Sequence, residues 1–125
     1  MIYTNPLIYI ELHDNEIPWL KIFTHAQRKE FSQCVTEERM MIFDLLDIIE
    51  KEMISYFKPE KINIASFGNM LPQVHWHIMG RFKNDSYFPE PMWGAMQRVG
   101  DAKIAPMGPF LEALKVTLTS RFSTC

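Results

Sequence analysis

The run Gln73-Val74-His75-Trp76-His77-Ile78 constrains the fold more than any other part of the chain, because polar and apolar side chains alternate along it without a break. A period of two is the signature of a strand. It places Gln73, His75 and His77 on one face and Val74, Trp76 and Ile78 on the other. The apolar set can pack beneath a helix. The polar set leaves two imidazoles and an amide in a row, and such groups are costly to bury without partners. Same-face residues lie roughly 6.5–7 Å apart along a strand, a separation that one phosphate group can bridge.

The rest of the pattern supplies neighbours for this strand. Leu7 to Leu12 is rich in β-branched and aromatic residues and reads as a strand, His13-Asp14-Asn15-Glu16 as a polar turn, and Ile17 to Phe23 as a second strand paired back on the first. Pro18 sits near the start of that strand, where a missing N–H is tolerated. Thr36 is a suitable N-cap for a long helix, with Glu37 and Glu38 in the first turn. Ile42, Leu45, Leu46, Ile49 and Met53 form its buried stripe, and Lys58-Pro59 stops it. Lys61 to Phe67 reads as a third strand, Gly68 to Pro72 as a loop, and Gln73 to Phe82 as the fourth strand. Lys83 to Gly108 is irregular and rich in proline and aromatic residues, with Tyr87, Phe88 and Trp93 as exposed aromatic surface, which suggests a lid or a dimer contact near the pocket. Pro109 fits the first position of a closing helix with Leu111, Leu114, Leu118 and Phe122 on one face. The order β-β-α-β-β-α predicts an α+β fold, an antiparallel sheet with helices packed on it, as one domain over residues 1–125.

Composition narrows the partner. The chain has 125 residues and a formal net charge of −2, so it has no general attraction to nucleic-acid backbones, and phosphate binding must come from a local site. That favours a small ligand over nucleic acid. Cys34 and Cys125 lack the spacing of a disulfide framework or metal site and read as reduced thiols. No apolar stretch is long enough to span a membrane and no signal-peptide pattern opens the chain, so a cytoplasmic location is expected.

The loop before the fourth strand adds to the site. Gly68 lets the backbone approach a ligand, Asn69 can offer its amide to an oxyanion, and loop N–H groups can form a nest for a phosphate. Arg81 shares the face of His77 by parity and reads as a surface or dimer-contact residue. His13 and His25 read as solvated. Taken alone, the His-x-His pair fits a structural pair, two metal ligands or phosphate chemistry, and the metal reading lacks a clear third ligand.

At these residues the chain resembles the histidine-triad (HIT) family of nucleotide hydrolases and transferases, whose motif His-φ-His-φ-His-φ-φ stands here as Gln73-Val74-His75-Trp76-His77-Ile78-Met79. The stretch NMLPQVHWHIMGRF followed by FPEPMWG is similar to a bacterial branch described as diadenosine tetraphosphate hydrolase-like. Asp14 and Pro18-Trp19-Leu20 fit the same branch. The resemblance covers roughly Leu7 to Gly94, leaving 95–125 as a C-terminal extension. It implies that His75 is the nucleophile, that His77 contacts the phosphate and supports the leaving step, and that Gln73 replaces the first motif histidine in the catalytic set. Gly68, Asn69 and Asp14 are the implied nucleotide-binding residues. Met70 occupies the spacing where many relatives have a serine. The resemblance further implies no required cofactor and no bound metal, although a divalent cation can accompany a polyphosphate substrate, and it implies a homodimer. The competing readings are a catalytically weak nucleotide-binding protein and a metal-binding strand protein.

Overall fold

The structure is a computed structural model that describes residues 1–122. Five strands and two helices follow in the order β1 (Tyr3–Thr4), β2 (Ile8–Leu12), β3 (Trp19–Thr24), α1 (Thr36–Phe57), β4 (Lys61–Ala65), β5 (His75–Arg81) and α2 (Met107–Arg121), with a 3-10 turn at Phe31–Gln33. The strands form one sheet in the order β1-β2-β3-β5-β4, antiparallel throughout. The expected α+β architecture is therefore observed. β5 lies inside the sheet, so the alternating run has a hydrogen-bonded neighbour on each side.

The helices cover one face of this sheet. Ile42, Leu45, Leu46, Ile49, Met53 and Phe57 of α1 are buried with Ile8, Ile10, Leu20, Ile22 and Ile78 of the strands. Phe110, Leu114 and Leu118 of α2 complete that core. The stripe expected on the long helix is the stripe that packs, because a spacing of three and four residues keeps one side of a helix in register with a flat apolar surface.

β3 starts at Trp19 and β4 ends at Ala65, each two residues short of the sequence reading, and four further differences have a local reason. A short β1, not anticipated, pairs Tyr3 with Ile10 and Thr4 with Tyr9. α1 is capped at Val35 and not at Thr36, because the Glu38 carboxylate accepts the Val35 N–H at 2.8 Å while also pairing with Arg28 at 3.1 Å. α2 begins at Met107, which makes Pro109 its third residue; first-turn N–H groups have no partner inside a helix, so proline costs nothing there. β5 begins at His75. Gln73 and Val74 leave the ladder because Gln73 N donates to Leu71 O at 2.7 Å and Val74 N to Arg28 O at 2.7 Å.

Arg81 corrects the sequence reading most sharply. It is neither a surface nor a dimer-contact residue but 1% exposed, and its guanidinium grips Asp85 through Nε at 2.9 Å and Nη2 at 3.1 Å. The same guanidinium donates to Asn63 Oδ1 and to Glu90 O. Asp85 also accepts the backbone N–H groups of Phe82, Tyr87 and Phe88. Burial by itself raises this carboxyl, but the Arg81 hydrogen bonds and the three N–H groups outweigh it and hold the group at about 2. This pair ties the end of β5 to the segment after it. That segment, residues 84–101, is closed at its base by Asp101 N to Asn84 O and Asn84 Nδ2 to Asp101 O. Glu16 clamps it further by accepting both the N–H and the hydroxyl of Ser86. Gly100 lies so close that a Cβ there would meet Ser86 Oγ at 2.4 Å.

Replacing Arg81 by Met should cost roughly 3–5 kcal/mol in a urea titration, since it strands a buried carboxylate. Asp85 has a folded-state value below its ordinary 3.8, so its contribution is present above that pH and is lost as pH falls toward about 2. Acid unfolding of Asp85→Asn should lack this component; an acid profile identical to the parent's would show that the pair does not anchor the loop.

Candidate active site

The face of the sheet opposite the helices carries the polar set. In the β3–β5 register Phe23 stands across from His75, Lys21 from His77 and Trp19 from Met79, while Ala65 of β4 flanks His77 on its other side. β4 ends at that point. Beyond it the chain lifts away from the sheet as the loop Phe67–Leu71, after Ser66 Oγ has donated to His75 O at 2.7 Å. Gly68 takes φ +74, the left-handed region that glycine enters without strain. The loop bounds a pocket of about 600 Å³ lined also by His13, Trp19, Lys21, Phe23, His75, His77 and Trp93. Such a volume suits a small-molecule ligand.

The two motif histidines are held in opposite tautomers. His75 Nδ1 lies 2.8 Å from Gln73 O. A carbonyl can only accept, so Nδ1 carries the proton and Nε2 keeps its lone pair. The ring is stacked on Phe23 (5.2 Å between centroids, 17°), which is stacked in turn on Tyr9. In His77 the order is reversed. Trp19 Nε1 donates to His77 Nδ1 at 3.0 Å, and an indole can only donate, so Nδ1 holds the lone pair and Nε2 the proton. Burial, and then the neighbouring His75, Lys21 and His13, lower His77 to about 4. It is neutral at physiological pH. The rings sit 5.0 Å apart at 68°. Side by side they offer one free lone pair and one free N–H, the pair of functions that attack on phosphorus and stabilisation of its oxygens require.

Other sequence-predicted site residues fall differently. Gly68 and Asn69 line the pocket. Among the described residues the Asn69 amide has no protein partner. Gln73 does not share the histidine face, as the strand pattern had suggested; its Nε2 donates to Thr24 O at 2.8 Å, and it reaches His75 through its main-chain carbonyl. Asp14 is exposed and outside the pocket lining, whereas the adjacent His13, read as solvated, packs against Trp19 with ring centroids 4.2 Å apart and lines the site. His25 is remote from the lining and contacts Thr4 Oγ1. Among the described residues no three His, Cys, Asp or Glu side chains are grouped to hold a metal ion.

Trp93 and Lys21 were not read as site residues. Trp93 is carried by the 84–101 loop and packs 4.9 Å from His77, 4.6 Å from Phe67 and 5.3 Å from Trp19. It walls the pocket, which accords with the lid reading of this segment. Tyr87 and Phe88, expected as exposed aromatic surface, are half-buried, and Phe88 lies under the Arg81 guanidinium. Lys21 belongs to no motif and carries no signal of its own in the sequence. Only the register with β5 reveals that it stands beside His77.

In a pH titration followed by NMR, the His77 ring should change protonation near 4. Trp19→Phe removes the donor that favours the neutral ring, so the value should move upward. A value that stays in place would show that the indole does not hold the tautomer.

Comparison with known proteins agrees with the fold. A search of curated protein sequences gave no significant match. Among solved structures, a histidine triad protein from Bradyrhizobium japonicum is similar at 28% identity and a TM-score of 0.76, over 92% of this chain and 87% of the other. A histidine triad protein from Marinobacter aquaeolei is 26% identical with a TM-score of 0.71, over 90% and 88% of the two chains. A third, from Sinorhizobium meliloti, is 27% identical with a TM-score of 0.68, over 96% and 84%. The family model described as HIT domain matches residues 1–84, which hold both motif histidines and end where the loop that carries Trp93 begins. That match spans well over half of the sequence, and the chain belongs to the HIT domain family.

Proposed function

We propose that the protein is a nucleotide hydrolase or transferase that cleaves a small nucleoside (poly)phosphate or phosphoramidate at the α-phosphate, in the manner of the diadenosine tetraphosphate hydrolase-like branch. The observation that carries this reading is the opposed tautomers of His75 and His77 in one pocket whose lining includes no carboxylate. His75 Nε2 gives its lone pair to the α-phosphorus as the bond from phosphorus to the leaving group breaks, and the leaving group departs with that electron pair. The His77 Nε2–H, the Asn69 amide and loop N–H groups stabilise charge on the phosphoryl oxygens. Water then displaces His75 from phosphorus, releasing a nucleoside monophosphate and a proton and restoring the imidazole. No cofactor is needed for either step; a divalent cation enters only with a polyphosphate substrate.

The replacement of the first motif histidine by Gln73 does not favour an inactive binding protein. His75 is oriented by the main-chain oxygen of residue 73, which every side chain supplies equally. The reading also places the protein in the cytoplasm, among nucleotides. No helix among the described residues is long and apolar enough to cross a membrane.

A homodimer belongs to the same proposal, and the open sheet edge supports it; Tyr87 and Phe88, being half-buried, add little. β4 is an edge of the sheet, and Ile64 and Phe67 are exposed there. Met40, Phe43 and Ile54 on α1 are exposed as well. An open edge with apolar neighbours invites a second copy. Light scattering at micromolar concentration should give twice the chain mass of 14.7 kDa; the single-chain mass would remove the dimer from the account.

Mass spectrometry after brief mixing with a diadenosine polyphosphate or an adenosine phosphoramidate should detect an adenylyl adduct on His75. His75→Ala should fold normally, form no adduct and lose at least roughly a thousandfold in turnover, about 4 kcal/mol of barrier. Retention of a tenth of the parent rate by that variant would exclude His75 as the nucleophile.

A further inference from the structure

Lys21 is a full positive charge in the pocket without an ion-pair partner among the described residues. The other close pairs, Arg28 with Glu38, Arg81 with Asp85, Lys51 with Asp47 and Lys83 with Glu60, each satisfy a cation elsewhere. Glu11 stands directly across from Lys21 on β2, yet no ion pair joins them and Glu11 is not part of the pocket lining. The ammonium lies over the Phe23 ring, 5.7 Å from Nζ to the centroid. An unpaired ammonium beside a buried aromatic ring is suited to bind an anion.

We propose that Lys21 determines leaving-group specificity: its ammonium holds the phosphate next to the one that His75 attacks, so the site favours substrates whose leaving group is a phosphate chain over those that release a neutral amine. This rests on the nucleotidyl-histidine reading above and goes beyond it by naming the leaving group.

The register supports the assignment. Cross-strand pairs stack along the site face as Phe23 with His75, then Lys21 with His77, then Trp19 with Met79. In-line displacement carries the leaving group away from His75 Nε2, and the next row along the sheet is the Lys21–His77 row. The charged and titratable groups lining the pocket beside that row are Lys21, His77, His75 and His13; the carboxylate of Glu11, across from Lys21 on β2, lies outside the lining. His77 gives a second, independent reason. An amine must gain a proton to depart, whereas a phosphate chain leaves as a stable anion. Trp19 holds His77 as a neutral N–H donor, suited to hydrogen-bonding such an anion and poorly suited to transferring a proton.

The test compares calorimetric binding of AMP and ADP, which differ by the one phosphate in question, to the parent, Lys21→Met and Lys21→Arg. A charge-assisted contact should make ADP bind more tightly than AMP by roughly tenfold or more in the parent. Lys21→Met should remove that difference and Lys21→Arg should keep most of it. With saturable substrates, Lys21→Met should lose roughly tenfold more in kcat/KM on a diadenosine polyphosphate than on adenosine 5′-phosphoramidate. Equal losses on both would place Lys21 at the α-phosphate and overturn the proposal, as would an unchanged ADP-to-AMP ratio. If His75 still forms its adduct while the ratio is unchanged, the Lys21 assignment alone fails. If neither nucleotide binds and no adduct forms, the nucleotide reading fails and takes this assignment with it.

Discussion

The alternation of β5, locked between β3 and β4, is the constraint on which the rest of the structure depends. Ile78, 0% exposed, faces the helices, while His77, 8% exposed, faces the pocket. A slip of one residue would drive both histidines into the core and expose Trp76 and Ile78, so the register is held by burial on both faces. Arg81 and Asp85 secure the far end of the strand, and the turn at Leu71–Gln73 secures the near end. Each position in the site inherits its place from this one strand.

What the site can do chemically is decided by groups that a motif does not display. A carbonyl oxygen and an indole N–H select the tautomers, and each has only one possible role, acceptor for Gln73 O and donor for Trp19 Nε1. The two histidines thus acquire different functions from neighbours that cannot exchange roles. On the proposed mechanism an amide at the first motif position is compatible with attack by His75, because the group that meets His75 at residue 73 belongs to the main chain. It also gives Trp19 a purpose beyond packing, since a purely apolar residue there would leave His77 Nδ1 buried without a partner.

Much of this was readable from the residues in order. The period of two around His75 and the stripe from Ile42 to Met53 carry their own geometry, and both became the elements they suggested. Features that depend on long-range register were not readable. Lys21 meets His77 only because β5 inserts beside β3, a pairing of segments more than fifty residues apart. Parity put Arg81 on the right face but could not show that Asp85 and the following loop close over it. His13 looked solvated because its aromatic partner, Trp19, is reached across a turn. Trp93 belongs to a loop without periodic pattern, and its place against His77 follows from the clamps at Asp85, Ser86 and Asp101, which local propensity does not encode.

The central claim, that fixed neighbours set opposite tautomers on two adjacent histidines, is tested most directly by long-range proton–nitrogen NMR of the ligand-free protein at neutral pH. The nitrogen shifts of each ring report which atom is protonated. The expected result is a proton on Nδ1 of His75 and on Nε2 of His77. A proton on His75 Nε2 would leave no lone pair facing the pocket and would contradict the account.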